Sequence, residues 1–277
     1  MSDDAALDAW TVEVERPEAD ISLARAALAL SRIEHPDLDV DVYLGRLDGL
    51  AGEIGRTRRD ASPVERLHGL REYLFEELGF KGNRADYYDP RNSFLSDVLD
   101  RRVGIPISLS LVLIEVGRRL GLPMEGIGLP GHFITGVRLD DAPILLDPFH
   151  GGALLTPEAC RELVSKALGK RVRLTEASFA PVGHRQFLTR MLANLKGIYW
   201  RTEQWDKAAR VSDHLIALDP AAGTERRDRG IALAKAGQYR RGLADWERYL
   251  TDFPDAPDNA EMRGHLRRVR QKLAELN

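Results

Sequence analysis

Apolar residues recur three and four positions apart in ISLARAALALSRI, VDVYLGRLDGLAGEI and VERLHGLREYLFEELG, the spacing of helices that bury one face. Ser62 and Pro63 open the third with an N-cap and a first-turn proline. The run from Gly104 to Pro123, GIPISLSLVLIEVGRRLGLP, is apolar on nearly every side and predicts a buried helix starting near Pro106. After Leu122 the period changes. MEGIGL, HFITGVRL and PILLD have alternating and β-branched residues divided by Pro, Gly and Asp, which predicts short strands beginning only there. VSKALGKRVRL predicts a later helix end and one further strand at VRL. The layout is α+β.

Beyond Gly183 the helical pattern repeats. Trp205 and Tyr239, Ala208 and Gly242, and Pro220 and Pro254 are each 34 residues apart, the period of tetratricopeptide helix pairs. In each unit an aromatic residue opens the second helix, a small residue follows where two helices approach closely, and a proline ends the unit. Lys196 and Arg226 depart from that pattern, so the copies are degenerate. A last helix, with Met262, Leu266, Val269 and Leu273 on one face, is predicted to cap the stack. Two units and a cap are few for an independent solenoid, so contact with the first domain is expected.

Composition narrows the function classes. The chain has 277 residues, 43% hydrophobic and 30% charged, with a net charge of -3, which argues against general nucleic-acid or membrane-surface binding. One cysteine fits a reducing cytoplasm and excludes an internal disulfide framework. The start, MSDDAALDAW, has no signal-peptide pattern, and the longest apolar stretch, Ile107 to Ile114, is too short to span a bilayer. Residues 184–277 carry 18 Lys and Arg against 13 Asp and Glu, whereas residues 1–183 carry 22 against 30. That sign change, with Pro181 and Gly183 between the two patterns, places a boundary near Phe179–Gly183.

Candidate chemistry lies in one order along the chain: a helix N-terminus at Pro106 to Ser108, then His132 in LPGHF, then Asp147 in ILLDPF. A helix N-terminus favours a thiolate through its free N–H groups and dipole. No cysteine stands there, and Ser108 is the nearest hydroxyl. The segment GFKGNRADYYDPRNSFLSDVLDRRVGIPISLSLVLIEVGRRLGLPMEGIGLPGHF resembles the SirB family of transglutaminase-like proteins, a bacterial family in which repeat-like helices also follow the core. The resemblance covers most of the chain and leaves the first residues outside it. It implies an α+β fold with a helical N-terminal region (1–62), a transglutaminase-like (papain-like) core with a small antiparallel sheet (63–182) and C-terminal α-helical tetratricopeptide repeats (183–277). It puts His132 and Asp147 at the family's His and Asp positions. Ser108 lies near the cysteine position, while the superfamily's usual spacing counted back from Gly121 falls on Pro106.

The residues carry plainer readings too. Ser108 also reads as a buried or capping hydroxyl, since a serine gains nucleophilicity only from an adjacent base. His132 and Asp147 are expected to pair whether or not the site is active, because a carboxylate at an apolar strand end needs hydrogen bonds. Asp89-Pro90 and Asn92-Ser93 read as a turn and an N-cap, and Asn83, Tyr88, Asp89 and Asn92 are expected to brace the cleft. Glu115 is expected to pair with Arg118 or Arg119. Cys160 sits at core spacing and follows the Asp, outside the nucleophile-His-Asp order. His132, Asp147 and His150 form no compact metal motif in the sequence, so neither metal nor other cofactor is expected. Two functions stay open: a non-enzymatic regulator or adaptor that binds a protein or peptide through its repeats or cleft, and a hydrolase or acyl-transferase working on an amide or ester through Ser108, His132 and Asp147.

Overall fold

A computed structural model describes residues 3–58, 60–139 and 143–275. Helices α1 (Asp3–Val14), α2 (Leu23–Ser31), α3 (Val40–Thr57) and α4 (Pro63–Arg71) precede a two-residue strand β1 (Lys81–Gly82). Then come α5 (Leu95–Arg101), β2 (Val103–Gly104), α6 (Pro106–Arg119), β3 (Met124–Ile127), β4 (Ile134–Val137), β5 (Ile144–Asp147), β6 (Ala153–Leu155) and α7 (Pro157–Leu168). The chain ends in α8 (His184–Arg201), α9 (Trp205–Leu218), α10 (Gly223–Lys235), α11 (Tyr239–Asp252) and α12 (Asn259–Glu275). It divides into two compact units: residues 16–191, and residues 2–15 together with 192–277.

In the first unit α6 is the central post. Every residue from Pro106 to Gly117 is buried, and the helix packs on α3, α5, β3 and β4. Its proline occupies the first turn, where the missing N–H has no intrahelical partner to lose. Glu115 pairs with Arg119, four residues on, at 2.7 Å. Strands β3 to β6 form an antiparallel sheet in sequence order, with Thr135 opposite Leu146 and Asp147 opposite Ala153. Ile127, Ile134 and Leu145 pack against Cys160 and Val164 of α7.

Two strand expectations need correction. VRL forms no strand; Val172 and Leu174 instead lie against the Ile127–Cys160 cluster. The fourth strand of that sheet is instead Ala153–Leu155, with Leu154 exposed. Strands also occur before Leu122: β1 and β2 pair in parallel, Lys81 with Val103 and Gly82 with Gly104. Two residues each are too few to leave a period in the sequence.

In the second unit α9 packs on α10 and α10 on α11, and α12 closes the apolar face of α11 with Met262 and Leu266 against Trp246 and Tyr249. Lys196, out of pattern in the sequence, reaches Glu225 at 2.5 Å and Asp228 at 3.0 Å on α10. Arg229 joins Asp213 of α9 to Asp245 of α11. Of the two residues that degrade the repeat pattern, Lys196 thus serves as a tie between helices. Helix α1 also belongs here: it lies on α9, with Trp10 fully buried and its Nε1 donating to the His214 carbonyl at 3.1 Å.

The crossing of α10 and α11 yields a prediction of opposite signs. A Cβ on Gly242 would lie 2.8 Å from the Gly230 carbonyl, so Gly242→Ala forces backbone apart and should cost about 1–2 kcal/mol after its helix-propensity gain. Gly197, exposed in α8 with nothing within 4 Å of an added Cβ, should gain up to about 1 kcal/mol as Gly197→Ala. Urea unfolding of the two variants measures both; equal shifts would refute the close-approach account.

Candidate functional site

His132 and Asp147 are brought together by β4 and β5. His132 lies two residues before β4, and Asp147 is the last residue of β5. The His132 Nε2 lies 3.0 Å from Asp147 Oδ2, with the carboxylate fully buried and the imidazole 7% exposed. The chain then turns through a 3-10 segment, Pro148–His150, capped by Asp147 itself: Oδ1 accepts the Phe149 N–H at 3.0 Å and the His150 N–H at 3.4 Å. That turn swings His150 back so that its Nδ1 lies 2.7 Å from the same Oδ2. Four donors therefore serve one carboxylate. Burial acts to raise the Asp147 pKa, but hydrogen bonds and charge from His132 and His150 outweigh it and hold the carboxyl below its ordinary range.

The surroundings fix His132. Arg190 of α8 donates to the Leu129 carbonyl at 2.6 Å and also to the His132 carbonyl, while its guanidinium stacks 5.2 Å over the Phe133 ring. The Phe149 ring meets His132 edge-on at 6.2 Å and stands where a side chain on Gly82 would be, 2.5 Å from an added Cβ. Gly152 has φ +68 and the same clearance from Phe75, and its carbonyl accepts from Arg71 at 2.7 Å. Tyr87 meets Phe149 edge-on at 6.0 Å.

Ser108 is engaged elsewhere. Its hydroxyl is fully buried, donates to the Asn92 carbonyl at 2.6 Å and accepts the Ile105 N–H at 3.1 Å. None of its hydrogen bonds among the described residues reaches His132. Pro106, the alternative position, offers no nucleophile. Asn92, fully buried, is not an N-cap as its neighbours suggested: its amide donates to the carbonyls of Asp86 and Tyr87 and its Oδ1 accepts from Asn83 at 3.0 Å. Asp89 caps the following 3-10 turn and pairs with Arg91 and Arg101. Tyr88 is half-exposed against Tyr87. Asn83, Asp89 and Asn92 thus hold the loop that carries Ser108's acceptor.

Cys160 faces the core, and burial first, then the nearby Asp147 charge, pushes its thiol up to about 11. Sequence reasoning gave no role to Phe149 or Arg190 and weighed His150 only as a metal ligand, not as a partner of Asp147. The signal for His150 was present: Asp-Pro-Phe-His is the spacing at which a capped 3-10 turn returns residue i+3 to the side chain at i. Arg190 is 58 residues from His132 and left no local signal.

Two family descriptions match the chain: a transglutaminase-like superfamily domain over residues 41–193 and a tetratricopeptide repeat over residues 195–272. A UPF0162 protein of Xylella fastidiosa (strain Temecula1) is 36% identical over 271 residues, covering 96% of each chain. One from Pseudomonas aeruginosa is 33% identical over 221 residues, 79% of this chain and 78% of the other. Human F-box only protein 21 is 36% identical over 153 residues, 52% of this chain and 23% of that protein. No solved structure matches the chain.

Two predictions follow from the site's electrostatics. Cys160 should resist alkylation at neutral pH in the folded chain and react fully in denaturant, because the thiolate is the reactive form; labelling of the native chain at the rate of a free thiol would contradict this. Asp147→Ala, which strands two imidazoles and two amides, should cost about 3 kcal/mol at pH 7 by urea unfolding. A carboxyl held below its unfolded pKa of about 3.9 gives stability that is full above that value and lost as pH falls through the folded one, so the gap to wild type should narrow below about pH 4.

Proposed function

The chain belongs to the UPF0162 family, within the transglutaminase-like superfamily, and from that premise we propose that it is a non-enzymatic regulator or adaptor that binds a protein or peptide. The observation that carries this reading is the state of Ser108, a sealed hydroxyl already spent on the Asn92 carbonyl and the Ile105 amide. A serine nucleophile must pass its proton to a base as it attacks, and the base here, His132, makes its hydrogen bond to Asp147 alone among the described residues. The single thiol is a core residue.

The tetratricopeptide segment supports a partner-binding role, since stacked helix pairs offer an extended surface. Exposed Arg240, Arg241, Arg267 and Arg268 suit an acidic segment of that partner. Kinship with the SirB proteins, carried by residues 79–152, is part of the same reading, as is a cytoplasmic location, for which the lone cysteine argues. Among the described residues no helix is long and apolar enough to cross a membrane.

The hydrolase or acyl-transferase reading keeps one supporting observation, the His132–Asp147 pair, which resembles the base and orienting acid of a triad. Assays of the full chain with ester, thioester, peptide and glutamine-amide substrates separate the two. The expected result is no turnover that depends on His132. Turnover abolished by both Ser108→Ala and His132→Ala, with circular dichroism unchanged, would replace the adaptor with an enzyme.

A further inference from the structure

We propose that His132, Asp147 and His150 form a binding site for a divalent transition-metal ion of the zinc class, a property beyond the adaptor reading. Nε2 of His132, Nδ1 of His150 and a carboxylate oxygen of Asp147 all lie within 4.8 Å of one another. No other group of three such side chains is as close among the described residues. Two imidazole nitrogens and one carboxylate oxygen are the donor set that zinc, cobalt and nickel accept, whereas calcium and magnesium demand mainly oxygen.

Part of the outer support that metal ligands use is in place, around Asp147 and the His132 backbone. Asp147 Oδ1 is fixed by the Phe149 and His150 amides, leaving Oδ2 as the inward donor. The His132 carbonyl is anchored by Arg190, and its ring is walled by Phe149. No hydrogen bond among the described residues engages His132 Nδ1 or His150 Nε2, so each ring can place its proton there and present the inner nitrogen unprotonated to the ion. Metal–nitrogen bonds of about 2.1 Å put tetrahedral neighbours roughly 3.4 Å apart. The His132 and His150 nitrogens lie 3.0 and 2.7 Å from Asp147 Oδ2, so the donors part by a few tenths of an ångström to take up an ion. His150 is 38% exposed, which gives it room to turn and gives the ion a way in. Three protein ligands leave a fourth position for water or for a donor from a bound partner.

The same three groups as a purely hydrogen-bonded cluster would bind no ion, and the two cases separate by titration. Tag-free full-length chain, stripped with chelator, is titrated with Zn2+ by calorimetry and with Co2+ by visible absorption. The expected result is one ion per chain at micromolar affinity or tighter, with the d–d bands of a low-coordinate Co2+ site. His150→Ala, at a half-exposed position, should keep its circular dichroism and weaken Zn2+ binding by at least about tenfold. His132→Ala should do the same if it folds, and His150→Ala alone decides if it does not. His68→Ala, an exposed histidine outside this cluster, is the control and should bind as wild type. No saturable Zn2+ binding, or equal affinity in wild type and His150→Ala, would overturn the site.

Discussion

A carboxylate with no access to water must have its lone pairs answered by the protein, and Asp147 meets that condition with two imidazoles on one oxygen and two backbone amides on the other. Much of the local architecture follows from this requirement. The amides are available only because β5 ends in a 3-10 turn, and the turn fits only where Gly82 leaves room for Phe149 and Gly152 leaves room for Phe75. The parallel pairing of β1 with β2 holds Gly82 in that place, beside the start of α6. A polar cluster in an apolar interior thus dictates where glycine, turn and strand end must fall.

The same interior explains the fate of the helix N-terminus. Ile105 to Ser108 form the N-terminus of α6, and the loop before α5 is drawn in by Asn92, whose amide and carbonyl both face inward. The serine hydroxyl completes that loop. Its bonds give the Ile105 amide and the Asn92 carbonyl a second, closer partner beside the 3.4 Å bond that they make to each other.

Much of this was legible in the sequence where a pattern ran long enough to show a period. The all-round apolar stretch from Ile107 marked α6, the 34-residue spacing marked α8 to α11, and the order His132 then Asp147 marked the pair. What was hidden depends on contacts without a local period. β1 and β2 have two residues each, VRL was β-branched but served as packing, and Arg190 reaches the His132 loop from a distant helix. The metal grouping was set aside because no compact motif accompanies it in the sequence, whereas a capped turn, not a helix or strand, makes His150 and Asp147 neighbours.

Helix α1 gives the repeat unit a history in time as well as a shape. Trp10 and its acceptor on α9 are 204 residues apart. At translation rates of about 5–20 residues per second, α1 is made some 10–40 seconds before the surface it covers exists. Through that interval the indole lacks the α9 surface that covers it, and α1 waits without that partner until the repeats are made. The second unit can close only when α1 and α9 are both present, so its assembly waits on synthesis of the repeats.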